Sequence, residues 1–385
     1  MFQWKRSKGV FVALIALSLL VGLFAQSALA AKKVITWNYH TAYDKSYFNG
    51  GSHVQAWADR VWEETNGQLK INIYYNGTLG YRGDEIMAAL RDGLLESAEF
   101  SAALNKVETG REWWSFNDFY ALFDNWEQLL AVDKVANPIM EQEIKEFGGV
   151  VPLAFFPCGP KVGFEGIWMN KEIKKWSDFK GTKIRIFFDL ARRYVFDELG
   201  FATMFLPGPE TYQGLQTGLV DGAIQSEQAG YTNNYYEIAK YFYAFEPIIG
   251  SWWGLLCSQK AFDALPEDVQ AGLIRASQEH KRFLEEEVWL NQSDFCPGPG
   301  GILSAKDCIK FFQSKGNVIV RVPLLMKKIQ DQNMIGLKKW IDSLDGYNAE
   351  KANLMLETLL KAKQDYPGLN QPAFMSLDEW VIEDK

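Results

Sequence analysis

The sequence predicts an α/β fold of two lobes, with a mixed, largely parallel sheet in each and a long helix crossing both. Three observations lead there. Strand-like and helix-like segments alternate up to about residue 150, and the same rhythm resumes beyond it. Pro266–Gln292 is then one charged, helix-favouring run of about 27 residues, or roughly 40 Å of helix at 1.5 Å per residue. That is longer than one small lobe requires.

The N-terminus comes first. Lys5, Arg6 and Lys8 precede an apolar run, Gly9–Ala25, and Ala28-Leu29-Ala30 supplies the small residues at which signal peptidase cuts. Residues 1–30 are expected to be an export signal removed after Ala30, although about 17 apolar residues could just span a thin bilayer. The remainder is 385 − 30 = 355 residues, and loss of three positive charges takes the formal net charge from −8 to −11. An acidic, evenly mixed surface excludes nucleic acid and anionic lipid as main partners.

Residues 33–41 (KVITWNYHT) read as a buried first strand. A helix follows with Val54, Trp57, Ala58, Val61 and Trp62 on one face, ended by Gly67. KINIYY makes the next strand, Asn76-Gly77 a turn, and DEIMAALRDG a helix with an acidic start and a glycine end. GVVPLAFF, KIRIFF and DGAIQS are the later strands, with helices at LARRYVFDEL and ETYQGLQTG, and NVIVRV is a strand after the long helix. These boundaries place residues 31–157 and about 249–285 in the first lobe, and 158–248 and about 286–385 in the second.

Of four cysteines, Cys296 and Cys308 flank a Gly/Pro-rich turn and are the expected disulfide; Cys158 and Cys257 sit in apolar surroundings and read as buried thiols. No metal-ligand spacing and no nucleophile, dinucleotide or phosphate-loop motif occurs, so neither a cofactor nor a metal is expected. There are three histidines. His280 lies in EHKRFLEEE and is expected to be solvated, as are Glu285, Glu286 and Glu287, which point in different directions on a helix. Catalysis is unsupported.

The segment Lys171–Gly222 carries a specific pattern. Asp178-Phe179-Lys180-Gly181-Thr182-Lys183-Ile184-Arg185 leads into a helix, and Glu210-Thr211-Tyr212 through Val220-Asp221-Gly222 follows. This resembles the "D-x-K-G-x-K-x-R" and "E-x-Y-x-x-L-x-x-G-x-V-D-G" segments of the DctP-type solute-binding proteins of TRAP transporters (tripartite ATP-independent periplasmic transporters). GTLGYRGDEIMAALRDG and Leu265-Pro266 resemble the same family. The resemblance implies a periplasmic binding protein of two lobes that close on a small organic anion, and membrane subunits of a TRAP transporter as partners. It leaves monomer or homodimer open, with residues 330–364 available for a dimer contact. The alternatives are a binding protein of an ATP-driven importer, against which the pattern speaks, and an exported enzyme acting on a small acid.

By the resemblance, Arg185 is the arginine that clamps the ligand carboxylate, and a guanidinium suits that role by its paired N–H donors and permanent charge. Gln225 falls at an amide-bearing ligand position. Trp252 and Trp253 resemble paired ligand-stacking tryptophans, although 14 Trp, 16 Tyr and 26 Phe make core packing the ordinary use of such rings. Tyr39 and His40 end the first strand, and Tyr81 and Arg82 follow a glycine turn, which are ligand-loop positions. The chain departs from the family where the keto-acid-binding branch holds a metal: Phe164, Ile224 and Gln225 replace the Gln and the Glu-Trp pair. It also lacks the sialic-acid branch's second arginine, offering Phe164 and Glu165 there. Glu165 would repel a second carboxylate, which favours a monoanion, aromatic or hydroxylated.

Overall fold

The computed structural model describes residues 33–43, 45, 53–81, 83–119, 122–157, 165–186, 190–245, 251–289 and 305–368. The expected export signal, Arg82, Cys158, Phe164 and Cys296 fall outside the described residues.

The chain begins with β1 (Ile35–His40), α1 (His53–Glu64), β2 (Leu69–Tyr74), α2 (Ile86–Arg91), β3 (Ser97–Ser101) and α3 (Ala102–Thr109). A 3-10 segment, Glu112–Asp118, leads to α4 (Trp126–Phe147) and β4 (Val150–Pro157). It then crosses to β5 (Glu165–Met169), β6 (Lys183–Ile186), α5 (Leu190–Phe196), β7 (Ala202–Phe205), α6 (Gly208–Thr217), β8 (Gly222–Ser226), α7 (Glu227–Thr232) and β9 (Tyr241–Phe245). It returns in β10 (Trp252–Ser258), α8 (Gln259–Asp263) and α9 (Glu267–Phe283), which runs on as a π-helical turn, Leu284–Trp289. α10 (Ala305–Ser314), β11 (Val318–Arg321), α11 (Pro323–Asp342) and α12 (Gly346–Asp365) follow.

The first sheet has the order β2-β1-β3-β10-β4 and the second β11-β9-β5-β8-β6-β7. Both are mixed. β10 runs antiparallel to β3 and β4, and β5 antiparallel to β8 and β9. In each sheet the strand that opposes its neighbours is the one the chain enters on crossing from the other lobe. The crossings leave Pro157 for Glu165 and Phe245 for Trp252. They fix which sheet ends face each other: His40, Ser101, Pro157 and Trp252 on one side, Ile186, Ser226, Phe245 and Glu165 on the other. In open α/β sheets, ligands bind outside the carboxyl ends of the parallel strands.

Hydrophobic periodicity explains the helices that cover the first sheet. Val54, Trp57, Ala58 and Val61 of α1 are buried, and so are Val269, Leu273 and Ala276 of α9. The two helices approach so closely that a Cβ on Gly272 would lie 2.6 Å from the Glu64 carbonyl oxygen, so glycine is required there. The Trp57 indole N–H donates to Ser277 Oγ at 3.0 Å across that seam.

The helix opening at Pro266 packs on α1 and β4 of the first lobe through Phe283, and its π-helical continuation, Leu284–Trp289, also reaches β4. The C-terminal segment, expected in the second lobe, divides between the two. α11 packs on α5, whereas α12 returns to α4, where Lys363 meets Asp124 at 2.7 Å and the Asn125 and Gln128 amides donate to the Tyr366 carbonyl.

Candidate functional site

β6 ends at the interlobe end of the second sheet and brings Arg185 there. The side chain is fully buried, its Nε donates to the Leu206 carbonyl at 3.0 Å, and Nη1 makes a long contact to the Ile224 carbonyl at 3.5 Å. Register explains its surroundings. Arg185 pairs with Met204 and Ala223, and Ile184 and Ile186 turn to the opposite face. The face it shares with Ala223 packs Leu206, Leu215, Val220 and Tyr235. Burial raises the Tyr235 hydroxyl above its ordinary pKa, and the nearby Arg185 charge and Thr211 hydroxyl partly offset that. A guanidinium set among carbonyl and hydroxyl groups keeps its charge, since arginine does not deprotonate in proteins.

Gln225 is half-buried on β8, two residues beyond Ala223 and on the same face as Arg185. Glu165 pairs with Ser226 and Phe245 and shares the face of Ile167 and Ile224. It is buried, but alternation along β5 turns it to the side of the sheet opposite Arg185.

On the first lobe the two consecutive tryptophans separate. Trp252 is fully buried beneath the sheet, edge-on to Trp113 at 5.6 Å, with its indole turned toward Asp133. This corrects the expectation for Trp252, which is a core residue. Trp253 lies on the other face with its ring 4.8 Å from that of Tyr43, and its buried indole N–H has no hydrogen-bond partner among the described residues. Tyr39 and His40 also face opposite ways, and register puts Tyr39 on the face of Trp253 and His40 on that of Trp252. Tyr39 packs on Trp57 at 5.3 Å inside the core, again against expectation. His40 faces the loop after β2 and lies edge-on to Tyr81 at 5.8 Å. Neither ring nitrogen of His40 makes a well-formed hydrogen bond, and burial holds its pKa below the ordinary histidine value. The Tyr81 hydroxyl donates to the Leu94 carbonyl at 3.4 Å.

His280 is a further correction. It is buried, and its Nε2 lies 2.9 Å from His53 Nδ1. Burial, then His53 and Arg60, holds its pKa well below the ordinary value. Glu285 is also no solvated residue: it reaches Lys281 at 3.5 Å, and Lys281 lies 3.9 Å from Asp133. Cys257 is a buried thiol; Cys308 is buried as well, while its expected partner Cys296 lies outside the described residues.

Sequence reasoning missed a junction between the lobes. Asp118 ends the 3-10 segment of the first lobe and accepts a hydrogen bond from the Ser251 hydroxyl at the start of the returning strand. Its backbone carbonyl accepts from Arg192 Nε of α5 at 2.7 Å. Phe119 packs edge-to-face on Trp340 of α11 at 5.6 Å. These contacts join residues 74 to 221 positions apart, and no local pattern announces them.

The model of the bacterial extracellular solute-binding protein family 7 matches residues 41–295, more than half of the chain. The C4-dicarboxylate-binding periplasmic protein DctP of Rhodobacter capsulatus is 27% identical over 276 residues, covering 71% of this chain and 79% of that protein. Its counterpart in Vibrio cholerae is 31% identical over 222 residues, covering 55% and 61%. Among solved structures, DctP7 of Bordetella pertussis, a receptor binding pyroglutamic acid, superposes with a TM-score of 0.67 at 17% identity, covering 86% of this chain and all of that one. A TRAP solute-binding protein of Chromohalobacter salexigens with bound D-glucuronate gives 0.66 at 18% identity, covering 84% and 99%. The structures speak for the two-lobed fold, and the family match for the lineage: this chain belongs to the bacterial extracellular solute-binding proteins of family 7.

Proposed function

We propose that this protein is the periplasmic receptor of a TRAP transporter, holding a small organic monoanion between its lobes with the ligand carboxylate on Arg185. The observation that carries the reading is a permanently charged side chain, buried at the interlobe end of β6 and positioned by the Leu206 carbonyl. A guanidinium fixed in this way is already oriented when the ligand arrives, which lowers the cost of binding. Gln225 shares its face, and Trp253, at the start of β10, is the ring the first lobe offers opposite. With Asp118 at the junction of the lobes, a second ligand carboxylate is disfavoured. Pyroglutamate and D-glucuronate, the ligands of the two structural neighbours, each carry one carboxylate.

Ligand contacts made with both lobes favour the closed form, and this is the form the membrane subunits recognise. Residues 1–30 direct export and are removed after Ala30. Trp252, Tyr39 and Tyr81 serve packing. The protein returns its ligand unchanged, so recovery of altered ligand after prolonged incubation would favour an enzyme.

A thermal-shift screen of residues 31–385 against small carboxylates, aromatic acids, sulfonates and neutral sugars tests the reading, with Arg185→Ala alongside. A ligand at a hundredfold over its dissociation constant stabilises by about 2.7 kcal/mol. Stabilisation of the wild type but not the variant by organic acids is expected. An equal response of both would make Arg185 structural, and a response to sugars alone would refute the ligand class.

A further inference from the structure

We propose that Asn117 and Asp118 form a second polar subsite of the cleft, which takes a hydroxyl or amide N–H of the bound acid. The inference rests on the interlobe binding reading and extends it from an anion to a hydroxylated or amide-bearing one.

Both side chains are buried, and both are short of partners. Asn117 is fully buried, yet among the described residues neither its Oδ1 nor its Nδ2 finds a hydrogen-bond partner. Asp118 is 1% exposed; its Oδ1 accepts from the Ser251 hydroxyl, and its Oδ2 has no donor among the described residues. Buried polar atoms in folded proteins are nearly always hydrogen-bonded, so two consecutive residues with three unmet atoms call for a group from outside the chain. An unmet amide is costly in the empty protein, and a ligand that satisfies it removes that cost on binding.

Their position decides what that group belongs to. Asp118 is held from three directions that converge between the lobes: its own 3-10 segment, Ser251 at the head of β10, and Arg192 from α5. Arg192 lies seven residues after Arg185, on the helix that starts at the interlobe end of β6. Asp118 therefore sits at the seam between the lobes, with Asn117 next to it in the chain. Their chemistry is also selective. Asp118 Oδ2 can only accept when ionised, so it matches a hydroxyl or amide N–H and opposes a second carboxylate. Asn117 both donates and accepts, which suits a hydroxyl or a lactam edge.

The test compares ligands of matched shape on the mature protein by calorimetric titration. D-glucuronate and pyroglutamate carry the polar groups; cyclohexanecarboxylate and cyclopentanecarboxylate lack them. Asp118→Asn and Asn117→Leu are expected to weaken the polar acids at least tenfold and the plain acids less than threefold, with unchanged unfolding temperatures for the unliganded Asp118→Asn protein. Ser251→Ala, which breaks only the junction, is expected to affect all acids alike and mildly. Arg185→Ala must abolish binding of both classes. Equal weakening of polar and plain acids by Asp118→Asn, or no weakening at all, overturns the subsite while the loss in Arg185→Ala leaves the receptor reading standing. Survival of binding in Arg185→Ala would instead remove the receptor reading itself.

Discussion

Glu99 and Asp133 are carboxylates buried in the first lobe and Arg185 is a guanidinium buried in the second, and the two kinds of charge answer burial differently. In the first, burial raises Glu99 to about 8 and Asp133 to about 7. Both acids have neutral donors beside them: Thr41 Oγ1 at 2.6 Å and the Ala42 N–H at 3.1 Å for Glu99, and Asn137 Nδ2 at 2.7 Å for Asp133. An acid can answer burial by taking up a proton. Arginine cannot, so Arg185 brings an undiminished positive charge to its lobe. On the proposed reading, this gives an acidic protein a place where an anion is favoured.

The largest expected effect is at Arg185. Two charge-assisted hydrogen bonds of about 1.5–3 kcal/mol each imply a loss of at least ~100-fold in affinity for Arg185→Ala, measured by calorimetric titration. Arg185→Lys should recover little, because a point charge does not reproduce the paired fork. If Lys restores full affinity, charge alone matters and the geometric argument fails.

Next come the tryptophans, which test the same contrast within one strand. Trp252→Ala should cost about 3–5 kcal/mol of stability through the cavity beside Trp113, with ligand affinity of the folded fraction unchanged. Trp253→Ala should lower affinity by about 2- to 10-fold, the range expected for an aromatic contact. Denaturant melts and titrations on both variants check this. A reversed pattern would mean that Trp252 is the ligand-facing ring.

The smallest effect concerns pH. Glu99 holds a proton in the folded protein up to about 8 and loses it near its ordinary 4.5 when unfolded. Between those values the folded state binds more protons, so this group's contribution to stability falls as pH rises. Glu99→Gln removes the titration and keeps an acceptor for Thr41. Its melting temperature relative to wild type should rise by about 5 °C between pH 5 and pH 8. A constant difference would place the Glu99 titration elsewhere.

Much of this was legible in residue order. The alternation of strands and helices announced two α/β lobes, and the pattern around Arg185 and Asp221-Gly222 announced the family. Trp252 and Trp253 could not be separated, since alternation says that consecutive residues face opposite ways but not which way faces ligand. His280 was readable in principle. It continues the buried row Val269, Leu273, Ala276 at helical spacing, and the charged residues around it hid that. The Asp118 junction was not readable, because it joins Ser251 from 133 positions away and exists only once both crossings are made.

The most direct test is a crystal structure of residues 31–385 with the acid that stabilises the protein most. The account predicts the ligand carboxylate within hydrogen-bond distance of the Arg185 guanidinium, with Trp253 on its other side. A carboxylate bound elsewhere, with Arg185 still satisfied only by protein groups, would contradict it.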